Sequence, residues 1–165
     1  MFSGVSYNED VTRKFNLDLQ GVIEVQTDIR FKPKSKDEAK AYYYVLPSYL
    51  DYNQVSIQAV LGTSQDELSV SRLESIPPQF KKTVEERNAD DIIVFKIKLP
   101  NDQSNQGLIT ISVKELFKRR IDPFPSKIHI REEQSAKFVD SKYYVSLYPS
   151  KTQRTQFNME MNGMR

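Results

Sequence analysis

His129 is the single histidine of the chain, set in Lys127-Ile128-His129-Ile130-Arg131. General-base and metal-binding roles need partners that orient and tune the imidazole. Alternation with Ile128 and Ile130 is instead the pattern of a polar strand or loop position. Acidic pairs stand at Glu85–Glu86, Asp90–Asp91 and Glu132–Glu133. Two carboxylates can share acid and base work when their environments push their pKa values apart. Neighbours on a strand point to opposite faces, so adjacent pairs do not converge on one substrate and read as solvated charge. Basic clusters at Lys81–Lys82 and Lys118–Arg119–Arg120, among nine Tyr and nine Phe, have the residue types that grip single-stranded nucleic acid. Acidic residues interleave with them and the net charge is only +2, so no nucleic acid is expected.

Other chemistry is excluded by type. There is no GxGxxG, P-loop, GxSxG or HExxH, and five glycines leave little material for a phosphate cradle. Cysteine is absent, which removes disulfides, thiolate catalysis and cysteine zinc sites. None of the eight Asn has Ser or Thr two positions later, so there is no N-glycosylation acceptor. The expectation is therefore no catalytic, cofactor-binding or metal residues, and no cofactor.

The elements around these residues follow period two. Ile23, Val25, Thr27, Ile29 and Phe31 alternate with Glu24, Gln26, Asp28 and Arg30, the pattern of a half-buried strand. Similar alternation covers Phe15–Leu19, Val55–Leu61, Ile93–Leu99 and Ile109–Val113. Tyr42–Leu46, Lys137–Leu147 and Gln153–Met161 are β-rich in composition. Pro33–Lys40, Pro77–Pro78, Pro100 and Asn101–Gly107 punctuate them. Ser64–Leu68 reads as a helical turn, and Ser112–Arg120 has mixed strand and helix spacing. These 165 residues predict an all-β fold: one antiparallel β-sandwich of about eight strands over residues 1–165. Its core is expected to contain Ile23, Val25, Ile29, Val55, Ile57, Phe95, Ile97, Ile109 and Ile111. A long ordered loop is expected at Asp122–Lys151, anchored by Phe124, Phe138, Tyr143, Tyr144 and Tyr148. The longest apolar run is too short to span a membrane, and the first residues lack the features of a signal peptide.

Three stretches carry a resemblance. They are Pro123-Phe124-Pro125, then Glu132-Glu133-Gln134, then Tyr148-Pro149-Ser150-Lys151-Thr152-Gln153. With the opening Asn8-Glu9-Asp10-Val11-Thr12-Arg13 before Phe15-Asn16-Leu17, they resemble the ribophorin I family, over essentially the whole chain. The resemblance implies a luminal, non-catalytic subunit of the oligosaccharyltransferase complex at the endoplasmic reticulum membrane. It implies a scaffold and substrate-presenting role, with other transferase subunits and nascent polypeptides as partners. It further implies an N-terminal piece of a longer protein, touching the membrane only through a segment absent here. The expected working surfaces are the strand edges, Asp122–Pro125 and Met159–Arg165. The alternative is a peptide- or protein-binding sandwich that uses its edge strands.

Overall fold

The structure, a computed structural model, describes residues 4–17, 22–48, 54–62, 64–86, 92–100, 107–118, 121–124, 135–138 and 146–159. The strands are β1 (Tyr7–Leu17), β2 (Ile23–Lys32), β3 (Ala41–Pro47), β4 (Gln54–Leu61), β5 (Glu67–Leu68) and β6 (Val70–Arg72), then β7 (Ile92–Lys98), β8 (Ile109–Phe117), β9 (Ile121–Phe124), β10 (Ser135–Phe138) and β11 (Ser150–Met159). Single 3-10 turns occupy Glu38–Lys40 and Pro78–Phe80, and one short helix, α1, spans Lys81–Glu86.

A six-stranded sheet in the order β11-β1-β2-β8-β4-β5 packs against a three-stranded sheet β3-β7-β6. This is the expected sandwich. On β2 the buried positions are Ile23, Val25, Thr27, Ile29 and Phe31, and β8 buries Ile109, Ile111, Val113, Glu115 and Phe117. Strict alternation over nine or ten residues is what one buried and one solvated face require. Phe95 and Ile97 face them from β7. Of the expected core, seven residues are fully buried, and Ile57 is half-buried against the cluster. The side chain of Val55 lies outside the described residues. Ala59 and Leu61, on the same face of β4, are buried.

Among the described residues every strand pairing is antiparallel except one: β1 runs parallel to β11, with Asn8 beside Ser150 and Leu17 beside Met159. Parallel neighbours need a long connection. Here the strand nearest the start of the chain and the strand nearest its end are those neighbours.

Several local expectations change. β1 begins eight residues before Phe15, and its inward face is Val11, Arg13 and Phe15. Ser112–Arg120 is strand as far as Phe117. Val113 and Phe117 share the inner face while Leu116 points outward, which produced the helical spacing. Ser64–Leu68 is no helical turn: Glu67–Leu68 forms β5 beside Ala59 and Val60. The ladder partner of Gly62 explains that glycine, since a Cβ there would lie 2.5 Å from Thr110 Cγ2. Within the expected Asp122–Lys151 loop, β9 and β10 pair as a separate antiparallel ladder, Ser135 opposite Phe124 and Phe138 opposite Ile121.

Candidate functional site

Two of the chain segments that carry the resemblance, the opening and the last stretch, meet. A register shift between Asn8 and Asp10 on β1 leaves Glu9 as a bulge and turns Asn8 inward, where it is fully buried. Its backbone N–H donates to the Pro149 carbonyl at 2.8 Å, and its side-chain amide donates to Ser150 Oγ at 3.0 Å. The Tyr42 hydroxyl donates to Asn8 Oδ1 at 2.9 Å. That hydroxyl has one proton, so Ser146 supplies the proton of its own 2.7 Å bond to Tyr42. Ser146 Oγ in turn accepts the Tyr148 N–H at 3.1 Å. Tyr148 fills the space beneath, its ring 4.8 Å from Phe31, 5.0 Å from Tyr42 and 5.2 Å from Phe80. On the outer side Lys151 pairs with Glu9 at 3.1 Å and Arg154 with Asp10 at 3.2 Å. The Glu9 contact raises the Lys151 pKa. These residues form a clasp that closes the ends of the chain on each other.

Deeper in the sandwich lies a second polar group. Arg13, Thr27 and Glu115 project from three neighbouring strands of the large sheet, and Tyr44 reaches them from β3. The Tyr44 hydroxyl donates to Glu115 Oε1. Its proton is then committed, so Thr27 Oγ1 donates to Tyr44 at 3.2 Å. Burial, reinforced by the Glu115 charge, pushes the Tyr44 pKa up, and the Arg13 charge partly offsets this. Arg13 also lies over the Phe15 ring, 5.0 Å from its centroid. Burial likewise raises the pKa values of Tyr42 and Tyr148. The group contains an acid, a phenol and a cation, yet all four residues are enclosed, so its chemistry is structural.

The open surface near the clasp is concave. One cleft, about 370 Å³, is lined by Val5, Phe80, Leu147, Tyr148 and Pro149 with Lys34 and Glu86 at the rim. A second, about 550 Å³, lies over the outer face of the small sheet between Lys40, Tyr43, Lys96 and Lys98. Glu38 and Gln79 line both, so the clefts adjoin. Their volumes fall in the range of clefts that take a small molecule or a few side chains. Among the described residues no group of three or more His, Asp or Glu could hold a metal ion, and no helix is long and apolar enough to cross a membrane.

The family model for ribophorin I matches residues 6–165. The chain belongs to the ribophorin I family. Membership implies an oligosaccharyltransferase-associated role, in a family of non-catalytic subunits of that complex in the endoplasmic reticulum lumen. No curated protein matches the sequence. Solved structures do match it, among them that of a Parabacteroides distasonis protein described as a proposed protease, at 9% identity and TM-score 0.33. That match covers 68% of this chain and 23% of the other, so the chain spans about a quarter of that protein's length.

For this ribophorin I family chain, the structure sorts the residues singled out by sequence. Glu85 and Glu86 lie on α1, with Glu86 paired to Lys82 at 3.9 Å, so that acidic pair and that basic pair share one short exposed helix. His129, Asp90–Asp91, Glu132–Glu133, Arg119–Arg120, Pro125, Tyr143 and Tyr144 lie outside the described residues, as do residues 160–165. Phe124 and Phe138 are placed by backbone in β9 and β10, and Met159 ends β11. Tyr148 is buried, as its expected anchoring role needs. Sequence reading passed over Arg13, Tyr44 and Glu115. The available signal was parity: Arg13 falls between Val11 and Phe15, and Glu115 between Val113 and Phe117, on inward positions.

Proposed function

We propose that this chain is a non-catalytic luminal domain of the oligosaccharyltransferase complex that N-glycosylates nascent proteins in the endoplasmic reticulum. In this reading it is a scaffold and helps to present polypeptide substrates. The observation that carries the proposal is the family match over residues 6–165. The clasp agrees with it in kind: the opening and last stretches of the resemblance are spent on joining β1 to β11, which leaves recognition to the surface. Residues 1–165 form one sandwich domain of a longer protein, held at the membrane by a later segment. Its partners are other transferase subunits and nascent chains, not nucleic acid. It binds no metal or cofactor.

Two measurements test this. The full-length protein, tagged and purified from microsomes, is expected to bring the catalytic subunit with it; recovery without other transferase subunits overturns the scaffold role. The 165-residue chain, incubated with lipid-linked oligosaccharide, acceptor peptide and Mn²⁺, is expected to form no glycopeptide above a no-protein control. Transfer needs stabilisation of a leaving pyrophosphate and commonly a metal held by clustered carboxylates. Product above the control overturns the non-catalytic reading.

A second reading has its own observation. β11 is ten residues long, stands at the edge of the large sheet, and is exposed from Lys151 to Gln156. Long edges invite an added strand. A proline substitution at Gln153 or Thr155 that abolishes partner binding while leaving the fold intact would favour this edge-pairing reading.

A further inference from the structure

We propose that the two adjoining clefts form one groove for an extended polypeptide segment that carries an apolar side chain and, about three residues away, acidic ones. The apolar end is built by Phe80, Leu147 and Pro149 with Val5, which is 45% exposed and is the exposed large apolar side chain among the described residues. A concave, mostly apolar lining with a few polar groups beside it is the make-up of a binding cleft. The other end is cationic. Its two carboxylates are already engaged, Asp37 by Lys40 at 3.1 Å and Glu38 by Lys34 at 3.8 Å. Among the described residues Lys96 and Lys98 have no ion-pair partner. They are two positions apart on β7, so both stand on the outer face of the small sheet, unneutralised and side by side.

The distance between the ends fixes the spacing. The Phe80 ring is 5.3 Å from the Tyr43 ring, and Tyr43 is the cross-strand neighbour of Lys96. Adding a strand spacing of about 5 Å places the lysines about 10 Å from the apolar floor, or about three residues of extended chain. At the joint, the Gln79 amide and the Glu38 carboxylate offer a donor and acceptors to a peptide backbone. A lipid headgroup would use the lysines but not an apolar cleft of side-chain size beside them. A sequence-matched peptide uses both. The inference stands on the groove and does not need the transferase reading.

The test uses the 165-residue chain and a fluorescein-labelled peptide pool of pattern Phe-x-x-Asp-Asp. Control pools have Lys for Asp or Ser for Phe, and vesicles of phosphatidylcholine with phosphatidylserine form a separate arm. The first pool is expected to bind at least about ten-fold tighter than either control pool, and more weakly as salt rises. The double variant K96E/K98E is expected to lower that affinity about ten-fold, and Val5→Asp several-fold. Lys114→Glu, on the outer face of the other sheet, should leave it unchanged. If K96E/K98E lowers the melting temperature, K96Q/K98Q replaces it. Equal binding of all pools, binding indifferent to the lysine changes, or lysine-dependent binding of vesicles but not peptide would each overturn the proposal.

Discussion

Tyr42 and Tyr44 sit two residues apart on β3, point into the same core and are both enclosed, yet their hydroxyls are satisfied by opposite means. Tyr42 is held by neutral partners, Asn8 and Ser146, from the two ends of the chain. Tyr44 donates to a carboxylate, Glu115, close enough to Arg13 for that charge to act on the same hydroxyl. A neutral network that loses a member leaves an unpaired neutral group, at about 1–3 kcal/mol. An ionic one loses more, because the survivor is a buried charge. The buried hydroxyl of the clasp therefore ties β1 to the segment before β11 through neutral groups, whereas Tyr44 ties the small sheet to charged groups of the large one.

Removing the carboxylate should have the largest effect. Glu115→Ala takes the acceptor from the Tyr44 proton and removes the buried negative charge that acts, with the buried Arg13, on the same hydroxyl. The expected loss is about 3–5 kcal/mol in urea denaturation, the range for removing one of two opposite charges buried in the same core. Glu115→Gln keeps the shape and loses the charge, and should retain most of that loss. A loss below about 1 kcal/mol for both would mean that Arg13 is neutralised elsewhere. Next comes Tyr44→Phe, which leaves a carboxylate oxygen short of a donor and should cost about 1–3 kcal/mol. A double-mutant cycle with Glu115→Ala should show strong coupling, since each change removes the same bond.

How far the sequence foretold this divides along the same line. β2 and β8 were legible because a strand with one buried face must alternate, and Ile23–Phe31 and Ile109–Val113 do. β1 was legible only from Phe15 onward. Its inward positions include Asn8 and Arg13, which look like outward ones until the bulge at Glu9 and the partners Tyr42 and Tyr44 are known. Those partners are 34 and 31 residues away or further, and no local pattern encodes them. β5, β6 and β9 were missed because two to four residues carry too little period to read. The groove needed the fold as well: Lys96 and Lys98 look like ordinary outward strand residues, and only the Pro78–Phe80 turn packed on Tyr43 makes a cleft beside them. The motif residues at both ends were legible as markers of the family but not as neighbours.

Alkaline pH probes the two tyrosines together with Tyr148. All three have folded pKa values raised above the unfolded value near 10, burial being the main cause. The sign follows: the folded state holds these protons more tightly, so the stabilisation is complete below about pH 10 and is lost as pH rises above it. At one pH unit above the unfolded value each tyrosine costs about 1.4 kcal/mol. Absorbance at 295 nm should show the exposed tyrosines ionising first and a late step that coincides with loss of the fold. Early, non-cooperative ionisation of all nine would show that the core admits hydroxide.

The smallest effect should come from Tyr42→Phe, and it decides the comparison. The ring stays, so the contacts with Phe31 and Tyr148 at about 5 Å remain. What is lost is one donor to Asn8 Oδ1 and one acceptor for Ser146. Asn8 keeps its bonds to Pro149 and Ser150, and Ser146 keeps the Tyr148 N–H. Asn8 Oδ1 and the Ser146 hydroxyl are left short of a partner but carry no charge, so the expected cost is about 1–2 kcal/mol. Coupling to changes at Glu115 should be near zero, because the two networks share no residue. Protease cutting should report the same loss locally: if the clasp tethers β11 to β1, Tyr42→Phe should speed cleavage after Lys151 or Arg154 more than Tyr44→Phe does, despite its smaller global cost. The reverse order would place the hold on β11 in its parallel ladder with β1 rather than in the buried hydroxyls.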